Sequence, residues 1–267
     1  MTHFHLLDQY QEGESVIHRL DPRLKLIATL VFIVAVTGMP HGAWLSMLLL
    51  LLAVGVLILT SRISLLRILK RSAIAIPFAL VAVTLTFTVD GVSLLTLKLG
   101  LWNLTVTDLG IVAFASIVTK AWLAVLMAAL LSATTTFPGL LFAMRGLKLP
   151  EVIVSVVSFM YRYIFVIADE ALRSHRARES RSADPQGRPR RRLVWHARVL
   201  GGMIGSLFLR SYERSERIYA AMLSRGFDGT IRTMSAEGFT AGQLIAASAF
   251  VCYVLAVLAL TVVHKWV

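Results

Sequence analysis

The chain has 267 residues, 57% of them apolar and only 16% charged, with a formal net charge of +12 carried mostly by arginine. That composition excludes an ordinary soluble domain and marks a polytopic membrane protein, where excess cations report topology and contact with anionic headgroups rather than nucleic acid. The single cysteine, Cys252, rules out an intramolecular disulfide and is too isolated for a metal or redox centre.

Residues 1–20 are polar, with no apolar run ahead of a cleavage site, so residues 1–23 are expected to form a cytoplasmic N-terminal segment and not a signal peptide. Asp21-Pro22 is a helix-start signal: Asp caps the first turn and Pro tolerates its first position. Residues 24–37 and 44–60 are two apolar spans split by the Pro/Gly turn at 38–42. Arg62, Arg67, Lys70 and Arg71 form a basic loop, residues 72–89 a third span, and 90–108 a mixed loop. Residues 109–131 are a fourth span, interrupted by Lys120. A bare intramembrane lysine is costly, so it is expected to pack against protein or snorkel. Residues 240–263 are the last span.

The positive-inside rule orients these segments. The N-terminus, with Arg19, Arg23 and Lys25, falls in the cytoplasm; the uncharged 38–42 turn falls outside, the basic loop inside, the nearly neutral 90–108 loop outside. Residues 151–168 then create a conflict, being apolar enough to span. A span there would place outside the arginine-rich stretch 161–232, which has fifteen arginines, no lysine and seven acidic residues. The expected solution is a helix in or under the bilayer, giving five spans in an all-α protein with a cytoplasmic coupling domain over 134–232.

Two long helices fit that domain, from about Pro150 to Arg181 and from about Val194 to Arg225, joined by a breaker-rich linker at 184–189. Asp169/Arg173 and Glu213/Arg217 have the i,i+4 spacing of helix ion pairs. Leu200, Met203, Ile204, Leu207, Phe208, Tyr212, Ile218, Tyr219, Met222 and Leu223 form an apolar stripe on the second helix, with Arg210, Arg214 and Arg217 expected on the opposite face. Gly201 and Gly205 form a small-xxx-small pair that lets another helix approach. Both helices end in arginine, at Ala177-Arg178-Glu179 and Ser224-Arg225-Gly226. Such cations suit the helix dipole as caps. They also suit a plug, a guanidinium entering an acidic groove of a partner, because its planar fork pairs with carboxylates.

Several segments resemble a known family. They are Leu20-Asp21-Pro22-Arg23-Leu24-Lys25-Leu26, Phe159-Met160-Tyr161-Arg162-Tyr163-Ile164, Phe208-Leu209-Arg210-Ser211-Tyr212-Glu213-Arg214-Ser215-Glu216-Arg217, and Ala221-Met222-Leu223-Ser224-Arg225-Gly226-Phe227-Asp228-Gly229. Over nearly its whole length the chain resembles the transmembrane T component of energy-coupling factor (ECF) transporters, most closely the cobalt branch, CbiQ. The resemblance implies a non-catalytic subunit of the bacterial inner membrane. It implies two ABC-type ATPase partners, each engaging one Ala-Arg-Gly-like signature. These map onto Ala177-Arg178-Glu179, where Glu replaces Gly, and Ser224-Arg225-Gly226, where Ser replaces Ala. Arg210, Arg214, Arg217, Gly201 and Gly205 would support the coupling helices; Met144-Arg145-Gly146 is a decoy in a short first coupling segment.

The resemblance also implies that ATP and Mg sit on the ATPases. Cobalt, or nickel, would sit on a CbiM-like substrate-binding membrane subunit, with a small CbiN-like protein as a further partner. Cobalt uptake feeding cobalamin synthesis is the leading expectation; a nickel or vitamin importer or a conventional ABC permease are the alternatives. The chain has no Walker-type phosphate loop. His3, His5 and His18 are expected to be plain polar residues, so no metal ligand and no catalytic residue is assigned. The five spans hold no Asp, Glu or His for intramembrane catalysis, and no internal repeat points to a self-contained carrier.

Overall fold

The computed structural model describes residues 10–11, 13, 15–73, 77, 81–84, 86, 93–99, 102–181, 189–229 and 240–266. Its elements are α1 (Val16–Arg19), α2 (Pro22–Gly38), α3 (Trp44–Ser61), α4 (Leu65–Ser72), β1 (Ser93–Leu99), β2 (Trp102–Thr107), α5 (Asp108–Thr134), α6 (Phe137–Gly146), α7 (Glu151–Glu179), α8 (Pro189–Leu223) and α9 (Ala241–Trp266). The protein is an all-α polytopic membrane protein with one small hairpin. It divides into two compact units, residues 1–147 with 237–267, and residues 148–236.

In the first unit, α2, α3, α5 and α9 share one apolar core. Phe32, Val36, Leu50, Val54, Leu123 and Val254 are fully buried, and Phe250 of α9 stacks on Phe32 with ring centroids 6.3 Å apart. The outward residues are just as apolar: Val34, Leu48, Leu59 and Leu255 are exposed. Helices apolar all round belong in lipid. By length and composition, α3, α5, α7 and residues 241–263 of α9 are long enough to cross a bilayer. At 17 residues, α2 sits at the short limit for a span. The expected third span, 72–89, lies mostly outside the described residues, as do His3, His5 and the linker at 184–188.

The helix-start signal behaves as its chemistry dictates. The Asp21 carboxylate accepts from the Arg23 backbone N–H at 2.8 Å, with Pro22 in the first turn. Lys120 is satisfied rather than bare. Its Nζ donates to the Met39 carbonyl beyond the end of α2, while Ser116, one turn earlier on α5, accepts from Gly42 N–H at 3.0 Å. Those two α5 side chains hold the 39–42 turn in place.

A second clasp fastens the N-terminal segment. Lys25, itself buried, donates to the carbonyls of His18 (3.1 Å) and Thr134 (3.0 Å), tying α1 to the end of α5. His18 Nε2 donates to the Gln11 carbonyl at 3.1 Å, so Nδ1 accepts from the Ser15 hydroxyl at 2.6 Å. Burial, with the Lys25 charge behind it, holds His18 below its ordinary 6.5, against a Gln11 backbone hydrogen bond that works the other way. Arg23 lies 4.2 Å over the Phe142 ring of α6, and a Cβ at Gly146 would come within 2.7 Å of its side chain. Glycine there lets α6 close on α2, so Met144-Arg145-Gly146 belongs to the first unit.

Two expectations change here. The basic loop after α3 is largely helical, as α4. The mixed 90–108 loop contains the antiparallel hairpin β1–β2, in which Leu99 pairs with Trp102 and Thr96 with Thr105. The alternation Thr96-Leu97-Lys98-Leu99 and Leu104-Thr105-Val106-Thr107 was the available signal.

Candidate coupling site

The second unit is built on α7 and α8. α8 carries a wide apolar band, about half of which is covered by described residues. Met203, Leu207, Ile218 and Met222 are half-buried, whereas Ile204, Phe208, Tyr212, Tyr219 and Leu223 are exposed. α7 likewise exposes Val152, Val156, Met160, Ile164 and Ile167, and buries Val154 and Ser155. A pair of helices with this much uncovered apolar surface is made to be covered by something else, lipid or protein.

Between α7 and α8 lies a cavity of about 420 Å³ with Phe159, Tyr163, Ile167, Ile218 and Met222 among its walls. Arg210, Arg214 and Arg217 also line it. They border the packing stripe rather than opposing it, which corrects the expectation. At 100° per residue, positions 210, 214 and 217 fall beside 203 and 207, not across from them. Neither expected i,i+4 ion pair forms. Arg173 reaches Glu170 at 2.9 Å instead of Asp169, and among the described residues Glu213 and Arg217 are not paired. Glu170 also accepts from Arg210 Nη1 of α8 at 3.1 Å, so its carboxylate is forked between the two helices.

The two arginine tips are built differently. α8 closes with a Schellman turn: Phe227 N–H donates to the Met222 carbonyl and Gly226 N–H to the Leu223 carbonyl, each at 3.0 Å, with Gly226 at φ +78°. Glycine takes that left-handed conformation without strain. Phe227 then packs edge-on against Phe159 of α7 at 6.4 Å, which anchors the turn to the neighbouring helix. Arg225 is thereby fixed on the helix end, exposed, and without a partner among the described residues; Ser224 and Gly226 beside it are exposed too.

At the end of α7 no left-handed residue closes the helix. Ser180 stays helical, and its N–H returns to the Arg176 carbonyl at 3.1 Å. Residue 179 is Glu, for which a positive φ is strained where it would not be for Gly. Arg178 is half-buried and donates to His175 Nε2 at 3.4 Å; His175 Nδ1 faces Glu179 at 3.5 Å. An arginine only donates, so the other ring nitrogen carries the hydrogen toward the carboxylate. Ala177 and Glu179 are exposed. Sequence reasoning missed His175, Glu170 and the Phe159–Phe227 anchor. His175 lies three residues before Arg178 and four before Glu179, and that spacing would have found the first.

Gly201 and Gly205 are exposed on α8, and a Cβ added at either meets nothing within 4 Å. No helix among the described residues occupies that side. Among the described residues no group of three or more His, Cys, Asp or Glu side chains is placed to hold a metal ion.

Comparison with known proteins gives the family. A protein-family model described as "CbiQ: Cobalt transport protein" matches residues 13–236. The energy-coupling factor transporter transmembrane protein EcfT of Listeria innocua is 28% identical over 239 residues, covering 84% of this chain and 85% of that protein. The nickel permease LarQ of Lactiplantibacillus plantarum is 30% identical over 96 residues, 36% of this chain and 33% of its own. A putative fused cobalt transport protein CbiMQ of Methanocorpusculum labreanum is 27% identical over 158 residues, 59% of this chain and 25% of its own.

Proposed function

This chain belongs to the CbiQ family and is a T component of energy-coupling factor transporters, and on that premise we propose that its two arginine tips, at Arg178 and Arg225, each dock one ABC-type ATPase. The observation that carries the reading is Arg225: a guanidinium held on a rigid turn, exposed, and left without a partner among the described residues. A planar, always-charged fork on a fixed stem is suited to a carboxylate groove on another protein.

In this account ATP and Mg bind the ATPases, whose movement displaces the tips. α7 and α8 carry that displacement to the membrane helices and to a substrate-binding membrane subunit. Their exposed apolar faces supply the surface for lipid and for that subunit. The chain itself has a non-catalytic role. The cargo is proposed to be cobalt, held by a CbiM-like subunit with a CbiN-like companion, and to feed cobalamin synthesis; the family description and the fused cobalt relative support this. Nickel is the second reading, and the LarQ relative favours it. Radiolabelled uptake by cells expressing the full transporter decides between them: cobalt uptake competed only weakly by nickel supports the first, the reverse order the second. The N-terminus is placed in the cytoplasm on the strength of the loop arginines and lysines.

A further inference from the structure

We infer that the first unit carries a lipid site at the basic ends of its spans: an apolar cavity that takes one acyl chain of an anionic phospholipid, whose phosphate lies against Arg19 and Arg62. The inference needs only the membrane placement of these helices and is independent of what docks on Arg178 and Arg225.

The cavity has a volume of about 220 Å³ and lies where α1, α2, α3, α5 and α9 meet. Ile17, Leu24, Leu57, Met127, Leu131 and Phe250 are among its walls. The polar groups on those walls are spent on the protein itself. Thr60 turns its hydroxyl back to the Val56 carbonyl at 2.8 Å, and Thr134 to the Leu130 carbonyl at 2.9 Å. Lys25 Nζ is taken by the His18 and Thr134 carbonyls. A buried water needs about two to four polar partners, whereas an apolar cavity of about 150 Å³ already stays dry and accepts hydrocarbon. Hydrocarbon is therefore the filling that suits these walls.

The cavity sits at one end of the bundle. Leu57 and Thr60 lie near the end of α3, Leu131 and Thr134 near the end of α5, and Leu24 in the first turn of α2. Cations mark the same end. Arg19 closes α1, Arg62 caps α3 two residues past Thr60, and both are exposed. α1 packs against α3, so the two arginines stand on one rim. Asp21, the only acidic residue between them in the sequence, is engaged by the Arg23 backbone N–H. α4 then begins three residues after Arg62 and exposes Leu65, Leu66 and Leu69 beside Arg67 and Lys70, with Ile68 buried. A short helix that turns leucines and cations outward together belongs at the boundary between headgroups and acyl chains. That sets the headgroup level at the cavity, where a cationic rim over an apolar void matches an anionic lipid: phosphate outside, chain within.

The wall formed by α1 is fastened from three sides. Lys25 of α2 holds the His18 carbonyl, Gln11 N–H reaches the Ala133 carbonyl of α5 at 3.0 Å, and Gln243 Nε2 of α9 reaches the Arg19 carbonyl at 2.9 Å. The cavity is thus a built feature of the unit and not a gap under a loose end.

The test places the full chain, alone and with its co-expressed partners, in nanodiscs of phosphatidylcholine and phosphatidylglycerol. A trace of phosphatidylglycerol carrying a diazirine in one acyl chain is photolysed, and the labelled peptides are mapped by mass spectrometry. Phosphatidylcholine with the same chain runs in parallel. The site predicts labelling at Leu57, Met127 or Leu131, with phosphatidylglycerol ahead of phosphatidylcholine. Arg19→Gln and Arg62→Gln should each lower the phosphatidylglycerol signal there by about fivefold, the worth of one basic residue at an anionic surface. Ala247→Leu, which fills the cavity from α9, should remove the signal for both lipids. Leu48→Phe, on the outward face, should change neither. Should Ala247→Leu fail to fold, the arginine variants still decide. Labelling confined to outward residues such as Leu48 and Leu255, or equal labelling by the two lipids, would overturn the inference. So would cavity labelling that is lost when the substrate-binding subunit is present, because a side chain of that subunit would then be the occupant. Failure of the chain to bring down an ATPase would count against the docking proposal alone.

Discussion

Arg225 and Arg178 look alike in sequence and differ in setting. Arg225 stands free at the end of a closed Schellman turn; Arg178 sits in the last turn of α7, with His175 beside it. The turn depends on Gly226 at φ +78°. Gly226→Ala forces an L-residue into that region at a cost of about 1 kcal/mol. It should lower the apparent unfolding temperature in detergent and weaken ATPase capture, while Ser224→Ala should do neither. Equal behaviour of the two variants would mean that the turn plays no part in presenting the arginine. His18 supports a second residue-scale expectation. Its folded pKa lies below the ordinary 6.5, so at intermediate pH the unfolded segment binds more protons than the folded one. The stability it contributes is present above pH 6.5 and is lost as pH falls below that value. Hydrogen-exchange protection factors at the amides of residues 15–18, corrected for the intrinsic pH dependence of exchange, should fall on acidification through this window, and His18→Gln should flatten the response.

At the scale of elements, periodicity and punctuation made the long helices legible. Asp21-Pro22 started α2, the Pro/Gly turn separated α2 from α3, and Gly226 ended α8. What escaped was set by contacts between segments distant in sequence. Lys120 could be judged costly from its surroundings, but only the fold brings the Met39 carbonyl to it across 81 positions. Glu170 meets Arg210 across 40 positions, so its fork was invisible to i,i+4 reasoning, which chose Asp169 as the partner of Arg173. The arginines of α8 were put on the wrong side because its apolar band was judged as one stripe, when half of it packs and half is exposed. The hairpin is legible as a period of two inside the mixed 90–108 loop.

For the whole molecule, topology and coupling are joined. α7 is apolar enough to cross a bilayer, yet crossing would put an arginine-rich unit on the outer side, against the charge rule. Five spans with a cytoplasmic coupling unit is the arrangement that the docking proposal requires. A cysteine at Ser180, which is exposed, in a Cys252→Ser background, should react with a membrane-impermeant maleimide only after the cytoplasmic face is opened. Labelling of intact cells would place that helix end outside and remove it from any ATPase.

The most direct measurement is affinity purification of the full chain from mild detergent with its co-expressed partners, wild type beside Arg178→Glu/Arg225→Glu, followed by mass spectrometry. The account predicts that an ATPase and a small membrane subunit accompany the wild type, and that the ATPase alone is lost from the double variant. A double variant that keeps its ATPase would contradict it, and both arginines would then be ordinary helix-end cations.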